Sequence, residues 1–311
     1  MNLKNITDIY LEINTNCNIN CPYCYNKNKL QLKEEISMDD VISVMKFLKK
    51  TSCKRIIISG GEPLLAKNFM KIIDLLSEEK YELQLISNCY FLDGKTYNFL
   101  KEKKVLIGCS LDTYNQSDKN VKRLLEKNFV NDFFFENIYA IMCVYGQDIS
   151  QIKKLLFFLY RNKIKYLNIS FIVDMLKDKH YIECVLDLII DYNNRCMPIS
   201  SEILTSVLEN ILIKPIKHCS ANKIIKINTN LSIFPCYLCD DNMAYGKIVN
   251  GNAIINEPLF EKFDSKIYNS KHSLCNNCEY KTSCAGCCYF TQNNSEICLM
   301  QICYNKLNIK E

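Results

Sequence analysis

Short apolar runs alternate with longer stretches of helical period over roughly the first 195 residues. Ile9 to Ile13, Arg55 to Ile58, Leu83 to Ile86, Val105 to Ser110, Ile138 to Val144 and Tyr166 to Val173 are strand-length runs, most of them rich in β-branched residues, and read as strands. Between them, Val41, Val44, Met45 and Leu48 recur at helical spacing behind Ser37, a capping residue, with Asp40 as a weaker version of the capping-box acid. Asn68 to Glu79, Thr96 to Glu102, Asp118 to Lys127 and Ile149 to Tyr160 are further helical stretches, the last with Ile149, Ile152, Leu155, Leu156 and Leu159 on one face. Repeated strand-helix units predict an α/β fold with a parallel sheet or barrel. Six units suit a partial (β/α)6 TIM-like barrel, whose right-handed crossovers set the C-terminal end of every strand on one rim. Asn14 to Cys24, Gly60 to Pro63, Ser87 to Cys89 and Ser110 to Asp112 each follow directly on a strand and are expected at that rim.

From about His218 the pattern changes to short strands, turns and cysteine clusters, with no clear helical period until the last residues. This places a boundary near residues 196 to 218, between a barrel over residues 1–205 and a cysteine-rich domain over residues 206–311. The longest apolar stretches, such as Val185 to Ile190, are broken by charges such as Asp187 and fall far short of the roughly 20 residues a membrane-spanning helix needs. Met1 to Tyr10 carries Lys4 and Asp8 and no apolar signal core, so the expected location is cytoplasmic. A net charge of +5, with the basic residues scattered among nearly as many acids, calls for no nucleic-acid partner.

Cysteine changes the picture. Of 19 cysteines in 311 residues, nine lie before residue 219 and ten between Cys219 and Cys303. In a reducing compartment such clusters bind metal more often than they form disulfides. With only His180, His218 and His272 available, thiolate-only iron-sulfur or zinc sites are left. Cys17-Asn-Ile-Asn-Cys21-Pro-Tyr-Cys24 is a CxxxCxxC loop after the first strand, and three thiolates can ligate three irons of a cubane while leaving the fourth open. The alternative is a zinc knuckle, which would lack its fourth ligand. Gly60-Gly61-Glu62-Pro63 after the second strand lets backbone approach a ligand closely, and Glu62 can meet a cationic group.

The CxxxCxxC spacing, with Tyr23 before the third cysteine, resembles the radical S-adenosylmethionine (SAM) superfamily, and the Gly60–Pro63 element resembles the superfamily's GGEP element. Ser87-Asn88 and Ser110-Leu111-Asp112 resemble the elements that hold SAM and its ribose, with Cys89 where the family often has glycine. The resemblance implies that Cys17, Cys21 and Cys24 hold a 4Fe-4S cluster. It further implies that Gly60, Gly61, Glu62, Pro63, Ser87, Asn88, Ser110 and Asp112 bind SAM, and that an electron from an external donor splits SAM to a 5′-deoxyadenosyl radical that takes a hydrogen atom from the substrate.

Downstream, Cys219 and Cys236 are followed by Cys275-x2-Cys278-x5-Cys284-x3-Cys288 and by Cys298 and Cys303. This resembles the SPASM extension of radical SAM peptide and protein maturases, although CxxC pairs are also zinc ligands. The resemblance implies two auxiliary 4Fe-4S clusters: a nearer one on Cys219, Cys236 and Cys288, with Cys239 as its fourth ligand or that position open, and a farther one on Cys275, Cys278, Cys284 and Cys298, with Cys303 as the alternative to Cys298. Leu231 stands where the family usually has glycine, and Asn230 is expected to supply the αL turn instead. Cys53, Cys184 and Cys196 read as buried small hydrophobes, and Cys109 and Cys143 as core or as hydrogen donors inside the barrel.

The function implied is maturation of a ribosomally made peptide by hydrogen abstraction followed by cross-linking or oxidation. Alternatives are a formylglycine-forming sulfatase maturase, a peptide epimerase, a small-molecule dehydrogenase, or a non-catalytic zinc-thiolate scaffold. Tyr237, where the sulfatase-type family has an acidic residue, weighs against the first of these. A first strand within the first dozen residues leaves leader-peptide recognition to the barrel or to a separate protein.

Overall fold

The β-branched runs form strands where their pattern places them. The computed structural model describes residues 3–112, 137–161, 166–172, 175–194, 199–201, 223–239, 241–269, 273–280 and 298–306. In chain order its main elements begin with β1 (Asp8–Glu12), α1 (Met38–Leu48), β2 (Arg55–Ser59), α2 (Phe69–Ser77), β3 (Glu82–Ser87), α3 (Gly94–Glu102) and β4 (Leu106–Ser110). Next come β5 (Ile138–Val144), α4 (Ile149–Arg161), β6 (Leu167–Phe171), α5 (Lys179–Asn194) and β7 (Ile199–Ser201). The remainder is β8 (Ile224–Ile227), β9 (Ser232–Phe234), β10 (Gly246–Val249), β11 (Asn252–Ile255), α6 (Glu257–Asn269) and α7 (Leu299–Lys306). The expected helix Asp118 to Lys127 and the cysteine Cys196 lie outside the described residues. Helix α6 corrects the expectation of no helix between His218 and the last residues; Leu259, Phe260, Phe263 and Ile267 do recur at helical spacing, a signal present in the sequence but overshadowed by the cysteine clusters beside it.

The chain divides into two units, Met1–Gly108 with Ser220–Lys266, and Cys109–Cys219 with Ile267–Glu311. In the first, β1, β2 and β3 are parallel neighbours, and β8 pairs parallel with β1 on its other side. β8, β9, β10 and β11 then continue as an antiparallel meander. Strand order in this unit is linear, from β11 to β4, so the sheet is open. In the second unit β5, β6 and β7 are parallel in sequence order. The architecture is α/β, with open, mainly parallel sheet and strand-helix alternation, as the periodicity predicts.

The two faces of the first unit's strands differ in chemistry. Ile9, Leu11, Ile56, Ile58, Leu85 and Ile227 are fully buried, each worth about 2 kcal/mol of apolar burial. Register puts Tyr10 opposite Ile57 and Lys226, Ile57 opposite Gln84, and Glu12 opposite Ser59, so these six positions share one face. That face carries buried hydroxyl and charged groups, Ser59, Glu12 and Lys226, where the opposite face is aliphatic.

Local signals account for the helix starts and the tip of the last hairpin. Ser37 caps α1, its hydroxyl accepting from the Asp40 amide at 3.1 Å, and Asp93 caps α3 through the Thr96 amide at 2.8 Å. Between β10 and β11, Asn250 and Gly251 have φ of 49° and 76°, the pair of left-handed residues that a two-residue hairpin turn demands. That tip is docked on α1: the Gly251 amide donates to Ser43 Oγ at 2.9 Å and Lys50 Nζ donates to the Gly251 carbonyl at 2.7 Å. A Cβ at residue 251 would lie 2.5 Å from Lys46 Cβ. Gly251→Ala is expected to cost about 2 kcal/mol, combining left-handed strain with overpacking, seen as a lower denaturation midpoint at unchanged m-value.

Candidate active site

The loop that carries Cys17, Cys21 and Cys24 is pinned at both ends by backbone. At its start the chain runs against the end of β2: the Ile13 amide donates to the Ser59 carbonyl at 3.0 Å, the Gly61 amide to Asn14 O at 2.9 Å, and the Glu62 amide to Asn16 O at 2.6 Å. At its end the Ile36 amide donates to Ile13 O at 2.9 Å, the Thr15 amide to Glu34 O at 2.9 Å, and the Glu34 amide to Thr15 Oγ1 at 2.9 Å. The glycines make the first contact feasible. A Cβ on Gly60, at φ 152°, would lie 2.6 Å from Asn14 Oδ1, and one on Gly61 would fall on the Asn16 carbonyl. Two chains can approach this closely only where side chains are absent.

Within the loop the Cys24 amide donates to Cys21 O at 3.2 Å, closing a turn between the two cysteines. All three cysteines are half-buried. Burial pushes the Cys17 and Cys24 thiols up, and the amides of Ile19 and Asn26 pull them back down. Asn26 donates through Nδ2 to Glu12 Oε1 at 2.9 Å and to the Gly60 carbonyl at 3.2 Å, tying the loop to β1 and to the glycine pair.

Glu62 is buried, and its carboxylate accepts from Ser87 Oγ at 2.7 Å, the Asn88 amide at 2.8 Å and the Leu64 amide at 3.1 Å. Burial pushes its pKa up against those three donors. The carboxylate thus organises the end of β3, where Asn88 Nδ2 in turn donates to Asn18 Oδ1 in the cysteine loop at 2.9 Å. The structure therefore brings Cys17–Cys24, Gly60–Pro63 and Ser87–Asn88 together. Cys89 takes φ 57°, the left-handed conformation for which the family uses glycine, and Leu231 takes φ 66° itself, so Asn230 is not the residue that turns there. Asn230 instead accepts at Oδ1 from the amide and hydroxyl of Ser232.

In the second unit Asp112 Oδ1 accepts from the Cys143 amide at 2.8 Å. Gln147 Nε2 bridges the Asp112 and Cys143 carbonyls at 3.1 and 2.7 Å, fixing the Ser110–Asp112 segment to the end of β5. Cys109 is buried core, whereas Cys143 is half-buried and shares a strand face with Asn168 and Ser170. Cys53 and Cys184 are half-buried, not fully buried as expected.

Of the later cysteines, Cys236 and Cys239 lie on one tight turn, the Cys239 amide donating to Cys236 O at 3.2 Å, and both are buried. Cys275 and Cys278 share another turn. Cys298 directly precedes α7, and Cys303 lies within that helix, its thiol pushed up to about 12 by burial and by Cys298. Cys219, Cys284 and Cys288 lie outside the described residues. Among the described residues no three Cys, His, Asp or Glu side chains gather as ligands of a single ion.

A family model described as the radical SAM superfamily matches residues 11–176, more than half of the chain. The chain belongs to that superfamily. It is a radical SAM enzyme, and SAM with a SAM-binding 4Fe-4S cluster is the cofactor set the family brings. Three thiols on one pinned loop suit that cluster, because each can take a different iron and leave the fourth open. Over 96% of this chain and 95% of the other, the structure resembles native anSMEcpe with bound AdoMet and Cp18Cys peptide, at 18% identity and a TM-score of 0.75. It also resembles SuiB of Streptococcus suis bound to precursor peptide SuiA, at 15% identity and a TM-score of 0.66, over 91% of this chain and 72% of that one. Among curated relatives, a probable GTP 3′,8-cyclase of Archaeoglobus fulgidus is 28% identical over 108 residues, 35% of this chain and 36% of the relative. A GTP 3′,8-cyclase of Campylobacter lari is 29% identical over 127 residues, 39% of each chain. The chain thus spans well under half the length of these curated relatives.

Periodicity alone missed Glu12, Asn14, Asn26, Lys226 and Gln147, all buried polar residues that hold the radical SAM loops. The available signal was a charge inside an otherwise apolar strand, Glu12 in Asp8–Ile13 and Lys226 in Ile224–Ile227.

Replacing Cys17, Cys21 and Cys24 together by Ala is expected to abolish 5′-deoxyadenosine formation from SAM under anaerobic, reducing conditions. Gly61→Ala, which displaces the residue before Cys17, is expected to slow it about 100-fold while circular dichroism is retained, as for a misplaced reacting group.

Proposed function

We propose that this radical SAM enzyme modifies a side chain of a peptide or protein, the residues 206–311 serving as an auxiliary-cluster domain. The observation that carries the reading is the buried Cys236–Cys239 turn, two thiols at one point of the chain directly after β9. Cys239 then closes a nearer cluster with Cys219, Cys236 and Cys288, which makes that cluster an electron acceptor in place of an open Lewis-acid site. Cys275, Cys278, Cys284 and Cys298 hold the farther one. Cys298 is preferred to Cys303 because it sits just before a helix N-terminus, where the dipole favours a thiolate.

Bound SAM supplies a 5′-deoxyadenosyl radical; the chain's own task is to hold and orient it. Gly60–Pro63, Ser87 and Asn88 in the first unit, and Ser110 and Asp112 in the second, are the residues we assign to SAM. Glu62 acts on that site by positioning Ser87 and Asn88. Tyr237, next to Cys236, stacks on Tyr10 with ring centroids 4.6 Å apart, an aromatic surface that suits contact with a substrate side chain. The fold shared with two proteins whose structures hold peptides supports this reading. The names of the curated relatives favour a second one, a nucleotide substrate.

Three measurements test this reading. In the Cys17, Cys21, Cys24→Ala variant, anaerobic reconstitution is expected to leave about eight irons per chain, the content of two 4Fe-4S sites, while zinc without sulfide would reinstate a scaffold. Deuterium from a labelled peptide encoded beside the gene is expected in 5′-deoxyadenosine, and deuterium from labelled GTP is not. Cys239→Ala is expected to lose one cluster and to impair product formation more than SAM cleavage.

A further inference from the structure

Glu12 and Lys226 are both 1% exposed, on neighbouring parallel strands of the first unit, and their charges are 3.8 Å apart. A buried pair stabilises a fold only when its geometry is close and its remaining hydrogen-bonding capacity is met. Here the separation exceeds a hydrogen bond, and Glu12 Oε2 has no hydrogen-bond partner among the described residues. Two apolar residues of similar volume would serve packing at least as well. The pair's connections point elsewhere. Glu12 Oε1 accepts from Asn26, two residues beyond Cys24. Lys226 Nζ donates to the Cys239 carbonyl at 2.9 Å, and it lies 4.6 Å from the centroid of Phe234 and 5.7 Å from that of Tyr25, which shield it from water on those sides.

We infer that Glu12 and Lys226 form a charge pair that sets the reduction potential of the cluster on Cys17, Cys21 and Cys24, with Glu12 the negative charge at its loop and Lys226 the positive one behind it. The potential of an iron-sulfur cluster follows nearby net charge, hydrogen bonding and exposure, and a charge in a low-dielectric surround is weakly screened. Reduction adds negative charge to the cluster. Glu12 therefore disfavours reduction and Lys226 favours it, and their balance sets how readily an external donor can load the electron that SAM cleavage consumes. The inference rests on the superfamily's N-terminal cluster and is independent of the substrate class.

The test uses two variants that keep hydrogen-bonding ability and lose charge, Glu12→Gln and Lys226→Gln. Each is reconstituted anaerobically and titrated while the electron paramagnetic resonance signal that changes on SAM addition is followed. That signal identifies the SAM-binding cluster whatever else the chain holds. Glu12→Gln is expected to raise the potential and Lys226→Gln to lower it, each by about tenfold in the reduced-to-oxidised ratio, or about 59 mV for one electron. The doubly neutral variant should return toward wild type. A purely structural pair would move both single variants the same way, or lose iron in both, and either result overturns the inference, as does no shift. Should one single variant fail to fold, the direction of the other decides. Failure of the double variant to fold would make the pair a structural requirement and also overturns it.

Discussion

Everything in the radical SAM site hangs on the close approach of two backbone segments, residues 13–16 leaving β1 and residues 59–62 leaving β2. Parallel strands normally diverge once their ladder ends. Here three further backbone hydrogen bonds extend it past Glu12 and Ser59, each worth about 1 kcal/mol net. The extension is sterically open only because residues 60 and 61 lack a Cβ. The reach of those bonds fixes where Cys17 begins its loop. The Asn14 side chain, donating to the Glu62 carbonyl at 2.9 Å, locks the same junction from the buried side.

A second layer of polar contacts converts that junction into a site. Glu62 gathers the end of β3, so that the Gly-Gly-Glu-Pro element works in both directions, its backbone on the cysteine loop and its carboxylate on Ser87 and Asn88. Such a carboxylate costs desolvation energy, and three donors offset it. The same logic holds in the second unit, where one buried amide, Gln147, joins the Asp112 segment to β5 without any charge.

The later residues 223–255 are part of the same sheet as β1. Pairing of β8 with β1 and docking of the Asn250-Gly251 turn on α1 carry the Cys236–Cys239 turn on the strands that also carry the first cysteine loop. Lys226, one residue of β8, bonds to that turn and faces Glu12 on β1. Two non-glycine residues, Cys89 just after β3 and Leu231 just before β9, accept left-handed backbone. Each costs about 1–2 kcal/mol, met here by burial of both side chains.

The sequence by itself determined the superfamily, the order of strands and helices, the cap at Ser37 and the three loops that meet at the site, because each rests on local spacing: period two or 3.6, a cysteine interval, glycines after a strand. It also marked Cys89 and Leu231 as departures from a glycine pattern, although it assigned the second turn to Asn230. Tertiary structure decided the rest. Helix α6 is not part of it, since Leu259, Phe260, Phe263 and Ile267 carry its period in the sequence. That Glu62 turns toward Ser87, that β8 returns to pair with β1, and that Glu12 and Lys226 meet are contacts between residues 25, 216 and 214 positions apart. Spacing along a chain encodes what a residue can do within a turn or a few. Which distant partner it meets depends on how whole strands pair, and a charge in an apolar strand names no partner until that pairing exists.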